Sequence, residues 1–286
     1  MDVVMGLVAA LCWGATDYLV SVNGRSLGIR RSVLYSQVLG LVILSIFALQ
    51  SSSLNSIVAV SVESVILCLV AAVLTVLGAL SLAKALTGGR TAIVAPVVTS
   101  YGIVTTILAW AGGERLTAYQ LIGIAICAFG VMAVGLGHSN PASRLNRREG
   151  QAIVFALLAA GFYGFSFWVQ GKYALPAVGP VNMLWLNYCV GALFLLLMYR
   201  NFRGGTNLTL KDYGALSGAS LFNLGGFAAF SFGVVEGSIA VVTVISTLSG
   251  GVAAMLGYVF YKERLTAGQL LGVSFVLLGA VVLHLL

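Results

Sequence analysis

Apolar runs of about 20 residues follow one another along almost the whole chain, and short polar segments separate them. A helix needs about 20 apolar residues to cross the hydrocarbon core of a bilayer. Charged residues make up only 8% of the 286 residues and hydrophobic residues 60%, whereas an average soluble domain carries about 25% charged residues. Lipid must therefore solvate most of the surface. The chain is predicted to be an all-α membrane protein.

The polar segments that separate the runs are clusters of Arg, Lys, Gly, Pro and Ser. They are clear at residues 87–90, 138–149 and 200–212. The break at Glu236 and Gly237 is short, but a single helix over 213–260 would be too long for a bilayer ~30 Å thick. The breaks predict ten transmembrane helices, at about residues 3–22, 32–50, 60–83, 91–111, 117–137, 150–171, 179–199, 213–235, 239–260 and 266–285.

The chain carries one sequence pattern twice. Residues 113–120 read GERLTAYQ, and residues 262–269 read KERLTAGQ, at an offset of 149 residues. Trp13-Gly14 matches Tyr163-Gly164 at an offset of 150. These matches predict a first five-helix repeat at 1–137, a basic linker at 138–149 and a second five-helix repeat at 150–286. Because five is an odd number, the second repeat enters the membrane from the opposite side, which gives two inverted repeats.

Lys and Arg are divided unequally between the two sides that this topology defines. Thirteen of the 15 fall in the segments after the odd-numbered spans, and only Arg115 and Lys172 fall on the other side. The positive-inside rule then predicts that both termini are periplasmic in a bacterial inner membrane. The scatter of basic residues over short loops also argues against a nucleic-acid partner, despite the formal net charge of +7.

Three sequence elements resemble the EamA-type members of the drug/metabolite transporter superfamily. They are Trp13-Gly14, Ala85-Leu86 and the joint Glu114-Arg115-Leu116-Thr117, which recurs as Glu263-Arg264-Leu265-Thr266. The resemblance covers nearly the whole chain. It implies ten helices, two inverted repeats and export of small metabolites by alternating access. Within that family the chain is most similar to the bacterial aromatic amino-acid exporters of the YddG type.

Asp17 is the only carboxylate well inside an apolar span. Trp13 and Ser21 lie four residues before and after it, so the three share one helix face. A carboxylate in lipid is costly and usually faces a cavity, which favours binding of a substrate ammonium or of a proton. Pairing with a nearby Arg or with the backbone is the alternative that the sequence leaves open.

Aromatic residues follow helical spacing in the sixth span, where Tyr163, Phe167 and Gln170 share one face. Aromatic walls suit flat apolar side chains, and their ring faces attract cations. Tyr163 and Phe167, with Trp13 and Asp17, are therefore predicted to bind substrate. Helix packing or an interfacial aromatic belt is the alternative.

Two clusters of hydroxyl groups lie at matching places in the fourth and ninth spans. Alone, each hydroxyl is more typical of bonding to its own helix backbone, but the paired positions favour a cavity lining. Pro96 precedes the first cluster and is expected to bend its helix. The clusters are Thr99, Ser100 and Tyr101, and then Thr243, Ser246, Thr247 and Ser249; Asn223 in the eighth span is a further candidate.

Motifs for ATP coupling, metal binding or catalysis are missing from the sequence. There is no Walker A motif, no HExxH and no nucleophile–base pair. The predicted function is a secondary exporter of amino acids or similar small metabolites, with no cofactor, metal or catalytic residue. A transporter of a cationic solute such as choline or a drug stays open, as does a membrane enzyme or lipid-handling scaffold.

Two further features predict structural roles. Gly123 and Gly130, repeated as Gly272 and Gly279, are seven residues apart and lie on one helix face. Small residues let helices approach closely, so the fifth and tenth spans are interpreted as scaffold or as a contact with a second subunit. The protein is expected to be a monomer or a homodimer in the bilayer. Glu114 is expected to pair or cap locally at its joint.

Overall fold

A computed structural model describes residues 1–26, 28–50, 60–89, 91–136, 147–198, 209–261 and 267–285. The described residues form α-helices and one π turn, and none of them lies in a strand. The all-α expectation is confirmed. Helices suit this chain because lipid offers no hydrogen bonds, so each backbone N–H and C=O must find a partner within the protein.

The helix bounds show where the structure follows the predicted spans and where it divides them. Predicted spans four and nine each correspond to two helices, α4–α5 and α10–α11. The helices are α1 (Asp2–Ser26), α2 (Ile29–Gln50), α3 (Val62–Gly88), α4 (Thr91–Val98), α5 (Tyr101–Ala111), α6 (Ala118–Leu136), α7 (Arg147–Val169), α8 (Leu175–Met198), α9 (Leu210–Glu236), α10 (Ile239–Ser246), α11 (Ser249–Tyr261) and α12 (Ala267–Leu285).

Several stretches are long and apolar enough to cross a membrane, which makes this a multi-pass membrane protein. By length and composition the described residues contain six: Asp2–Asn23, Arg31–Leu49, Val62–Gly88, Arg147–Met198, Asp212–Glu236 and Ile239–Gly257. The fourth is 52 residues long and contains both α7 and α8. The count of ten spans stays a prediction.

The loop predicted between the sixth and seventh spans, at about residues 172–178, is wrong. The chain forms the π turn Gln170–Ala174 and continues directly into α8. The kink lies at Gly179, whose φ is 76°, immediately before Pro180. Proline disfavours the helical conformation of the residue before it, and glycine tolerates a positive φ. The bend therefore falls at the Gly-Pro pair and not at the charged residue Lys172.

Two predicted elements fall largely outside the described residues. The basic linker 138–149 is described only from residue 147, and its last three residues already belong to α7. The second Glu-Arg-Leu-Thr joint, residues 263–266, lies outside the description altogether.

Helices from the two halves of the chain pack against each other in corresponding pairs. α1 packs against α9 and α11, and its counterpart α7 packs against α3 and α5. α6 and α12 pack against each other, and their repeated glycines are buried. These small residues therefore serve a contact within one chain. A dimer stays a prediction.

Candidate substrate-binding site

The broken helices α4–α5 and α10–α11 cross each other at their breaks. A Cβ on Gly250 would lie 2.9 Å from Thr99 Cγ2, and a Cβ on Gly102 would lie 2.5 Å from Thr247 Cγ2. Thr99 and Gly102 correspond to Thr247 and Gly250 at an offset of 148 residues. The two contacts are therefore equivalent, and each needs a glycine for the helices to come so close.

The backbone tightens at each break. Ser100 N donates to Val97 O at 3.2 Å, and Leu248 N donates to Ile245 O at 3.1 Å. Such i→i+3 bonds are typical of 3₁₀ turns, and a 3₁₀ turn within a helix often marks a hinge. Pro96 lies in α4 just before the first break, as expected, whereas the second break forms without a proline.

A cavity lies where these breaks meet α1, α7 and α9, and we name it the central cavity. It contains about 410 Å³ of empty space. Seven residues predicted to bind substrate line it: Trp13, Asp17, Thr99, Tyr101, Tyr163, Phe167 and Asn223. Ser249 of the second predicted hydroxyl cluster also lines it, and the rest of the lining is Thr16, Leu82, Val98 and Phe227.

Among the lining residues that the structure describes, Asp17 is the only acidic or basic one. Its side chain is 6% exposed. Neither a hydrogen bond nor an ion pair joins its carboxyl group to any residue in the described part of the chain. The side chain of Arg25 lies outside that part. A carboxyl group placed in this way is available to a ligand that carries a positive charge, or to a proton.

Five aromatic rings form a wall beside Asp17. Phe167 stacks on Trp13 and on Tyr163, with centroid distances of 5.4 and 5.7 Å. Tyr101 meets Phe167 edge-on at 5.2 Å, and Phe227 meets Trp13 edge-on at 5.2 Å. Each such pair stabilises the wall by ~0.5–1.5 kcal/mol beyond simple burial. The result is a rigid apolar surface next to a single carboxyl group.

The aromatic wall depends on two close helix crossings. A Cβ on Gly14 would lie 2.4 Å from Val252 Cβ in α11, and a Cβ on Gly164 would lie 2.6 Å from Val104 Cβ in α5. The residue before each glycine is aromatic and lines the central cavity. The match that the sequence gives at an offset of 150 residues is therefore a structural equivalence.

The other four predicted residues lie near the central cavity but do not line it. The hydroxyls of Ser100, Ser246 and Thr247 donate to the carbonyl three residues earlier, and that of Thr243 to the carbonyl four residues earlier. For these residues the structure agrees with the alternative, in which each hydroxyl bonds the backbone of its own helix. Ser246 also lies 2.8 Å from Tyr101 Oη, so it positions a ring that lines the cavity.

Sequence reasoning misses four of the lining residues. Phe227 lies four residues after Asn223 in α9, a helical spacing that points to the same face. Thr16 directly precedes Asp17 and donates to Cys12 O at 2.9 Å. The remaining two, Leu82 and Val98, are apolar and carry no signal, because apolar residues occupy every face of a helix in lipid.

A second cavity adjoins the central cavity, and we name it the amide vestibule. It contains about 510 Å³ of empty space. Thr16, Leu82, Tyr163 and Asn223 line both cavities. The remaining residues of the amide vestibule are Val20, Asn23, Ser32, Val33, Ser36, Gln37, Ala79, Ala83, Leu216 and Ala219.

A buried hydrogen-bond network holds α7 against α3 and α8 behind the aromatic wall. Gln170 Nε2 donates to Ser166 Oγ at 2.9 Å, and Asn187 Nδ2 donates to Gln170 Oε1 at 3.2 Å. Ser166 Oγ lies 2.7 Å from Thr75 Oγ1. Gln170, which the sequence places on the face of Tyr163, therefore fixes the π turn and does not line the central cavity.

Glu114 joins the two halves at the end of the protein where α5 ends and α10 begins. Its Oε1 accepts hydrogen bonds from Ser238 Oγ and, at 3.4 Å, from Ala240 N. A negative group is favourable at a helix N-terminus. Glu114 therefore caps a helix, as one of its two expected roles has it, but the helix is α10 of the other half and not one at its own joint.

The fold and the cavity together define a class of protein: a multi-pass membrane protein whose two matching sets of helices enclose a polar and aromatic cavity, as a transporter requires. The chain belongs to the EamA-like transporter family, whose model matches residues 1–136 and again residues 150–285. Members of this family transport small solutes. The double match confirms both the family resemblance and the repeat.

The chain is also similar to two further proteins. An "uncharacterized protein" of Methanocaldococcus jannaschii is 28% identical over 138 residues, which are 47% of this chain and 96% of the relative. The relative is therefore about as long as one half of this chain. A solved crystal structure has a TM-score of 0.75 with 15% identity, covering 98% of this chain and 95% of the other. At that identity the likeness is one of fold alone.

Proposed function

We propose that this protein exports amino acids with aromatic or other apolar side chains, or similar small metabolites, across the bacterial inner membrane. One observation carries the proposal: the central cavity holds a single carboxyl group beside five aromatic rings, between the two halves of a transporter fold. This composition suits a solute with an ammonium group and an apolar body. The sequence resemblance to the aromatic amino-acid exporters of the YddG type supports the same substrate class.

The central cavity offers a partner to each part of such a solute. Asp17 takes the ammonium group, and the neighbouring ring faces add cation–π attraction. Phe167 and its stacked partners hold the apolar side chain. The hydroxyls of Thr99 and Ser249 and the amide of Asn223 can bond the carboxylate without any fixed positive charge. Burial strengthens these polar contacts, because the local dielectric is lower than that of water.

Alternating access follows from the two breaks. The halves, residues 1–137 and 150–286, move as inverted five-helix repeats of a ten-span protein. The 3₁₀ turns of α4–α5 and α10–α11 act as the hinges, since they cross at the central cavity. The Lys and Arg distribution supports periplasmic termini, so that the opposite end of the protein loads substrate from the cytoplasm.

Transport of a cationic solute without a carboxylate is the second candidate. A specific observation favours it: none of the residues that line the central cavity, among those the structure describes, is Arg, Lys or His. A substrate carboxylate therefore meets only neutral groups. An amine or quaternary ammonium needs only Asp17 and the aromatic wall.

A flux measurement with three matched solutes separates the two candidates. Purified protein in proteoliposomes is tested with radiolabelled L-phenylalanine, with phenethylamine, which lacks the carboxylate, and with 3-phenylpropionate, which lacks the ammonium group. We expect L-phenylalanine to move fastest and 3-phenylpropionate not to move. Transport of phenethylamine without L-phenylalanine would favour the second candidate. Folded wild-type protein that moves none of these, nor leucine nor choline, would refute both.

A further inference from the structure

We propose that the amide vestibule is a second substrate-binding station, which takes the zwitterionic head group of an amino acid before the solute reaches Asp17. This inference rests on the proposed function and adds a site to it. Four residues line both cavities, so the two adjoin at a boundary formed by Thr16, Leu82, Tyr163 and Asn223. A solute that leaves one cavity through this boundary enters the other.

The chemistry of the amide vestibule differs from that of the central cavity. Its polar groups are three carboxamides, Asn23, Gln37 and Asn223, and the hydroxyls of Thr16, Ser32, Ser36 and Tyr163. None of its lining residues, as far as the structure describes them, is charged. Carboxamides and hydroxyls both donate and accept hydrogen bonds. They satisfy an ammonium and a carboxylate together, whereas an ion with a net charge finds no counter-charge.

Gln37 is the residue most poised for a ligand. Its side chain is 6% exposed and lies on Gly191, where a Cβ would meet Gln37 Oε1 at 2.4 Å. Gln37 Oε1 has no hydrogen-bond partner in the described part of the chain. A buried acceptor without a donor is unfavourable, so rotation of the carboxamide from Gly191 toward the amide vestibule, where the ammonium group of a solute can donate to it, would satisfy this oxygen.

The position of the amide vestibule fits loading from the cytoplasm. It is lined by the C-terminal halves of α1 and α3, by the N-terminal halves of α2 and α9, and by Tyr163 of α7. The segments that adjoin these helix ends contain Arg25, Arg30, Arg31, Lys84, Arg90, Arg200, Arg203 and Lys211. On the other side of the central cavity, Phe230 is fully buried and lies 4.5 Å from the Phe167 ring. In the part of the chain that the structure describes, the two cavities therefore lead from Asp17 toward the basic side.

Equilibrium dialysis of radiolabelled L-phenylalanine against the purified protein in detergent tests the proposal. We expect two bound molecules per wild-type chain. Asp17→Asn and Gln37→Leu should each lower the affinity of one of the two by about tenfold or more, as loss of one hydrogen bond to a charged group does. Val38→Leu, on the adjacent lipid-facing residue, should leave both unchanged.

The outcomes are distinct. If the wild-type chain binds one molecule and Gln37→Leu leaves its affinity for L-phenylalanine unchanged, binding at the amide vestibule is refuted. The proposed function is then unaffected. No binding by the wild type refutes the proposed substrate class. If the Gln37→Leu variant does not fold, the rate of alkylation of Ser36→Cys, in a chain free of its native cysteines, tests the proposal instead. L-phenylalanine should slow this alkylation even when Asp17→Asn is present, and no slowing overturns the proposal.

Discussion

Gly164 in α7 permits the closest approach of that helix to α5, so replacing it with alanine tests how the central cavity is assembled. A Cβ at this position would lie 2.6 Å from Val104 Cβ and 3.1 Å from Tyr101 O. The first distance is too short for two carbon atoms, and the second involves backbone that cannot turn aside. Overpacking of this kind costs about 1–3 kcal/mol.

Gly161 provides a matched control three residues earlier in the same helix. No atom lies within 4 Å of a Cβ placed there. Alanine is favoured over glycine in a helix interior by up to ~1 kcal/mol, so Gly161→Ala should be neutral or stabilising. Because both substitutions gain the same helix propensity, the two alanine variants should differ only by the overpacking cost, about 1–3 kcal/mol in free energy of unfolding.

Reversible unfolding of the purified protein in sodium dodecyl sulfate, followed by circular dichroism, measures this difference. Gly164→Ala should unfold at a lower detergent fraction than the wild type, and Gly161→Ala at the same fraction or a higher one. Gly14→Ala should behave like Gly164→Ala, because its Cβ would lie 2.4 Å from Val252 Cβ. Equal stability of the Gly164→Ala and Gly161→Ala variants would refute the close crossing.

Three further changes test separate contacts. Asp17→Asn should slow transport of an ammonium-bearing solute by about tenfold to a hundredfold, since hydrogen bonds to charged groups contribute ~1.5–3 kcal/mol; initial flux rates at wild-type level would remove Asp17 from the site. Gln170→Leu leaves buried Asn187 Nδ2 without an acceptor and should destabilise the protein by ~1–3 kcal/mol in the same unfolding assay, and wild-type stability would contradict this. Glu114→Ala and Ser238→Ala should each cost about 0.5–2 kcal/mol as losses of a helix cap. Their double mutant should cost less than the sum, because one bond joins the two side chains, and strict additivity would show that they act independently.

The cavity lining was predictable where a residue type is unusual for lipid. Asp17 stands out because a carboxylate in an apolar span must be compensated, and Trp13 follows from its spacing on the same helix face. The hydroxyl residues were not separable in this way. Thr99 lines the central cavity and Ser100 does not, yet either hydroxyl can bond its own helix backbone. Only the direction of each side chain at the 3₁₀ turn decides between them.

The chain path was predictable where charge or glycine interrupts an apolar run, and the break at Glu236 lies where expected. The prediction of the chain path failed at Lys172, where the π turn continues the helix past a charged residue. Lys172 Nζ donates to Gly112 O across the junction with α5, so the charge has a partner that lies 60 residues away. A local pattern cannot show such a partner.

By itself, the sequence determined that this chain is solvated by lipid, that it is helical and that it is built from two related halves. Those properties follow from composition and from matching residues, which need no knowledge of contacts. The tertiary structure decided which helix faces are inside. In water the buried face of a helix is its apolar stripe, but in lipid both faces are apolar: Leu11 is 60% exposed and its neighbour Ala10 only 1%. The two cavities therefore form only when the helices are packed. The same holds for the packing of helices from one half against helices of the other.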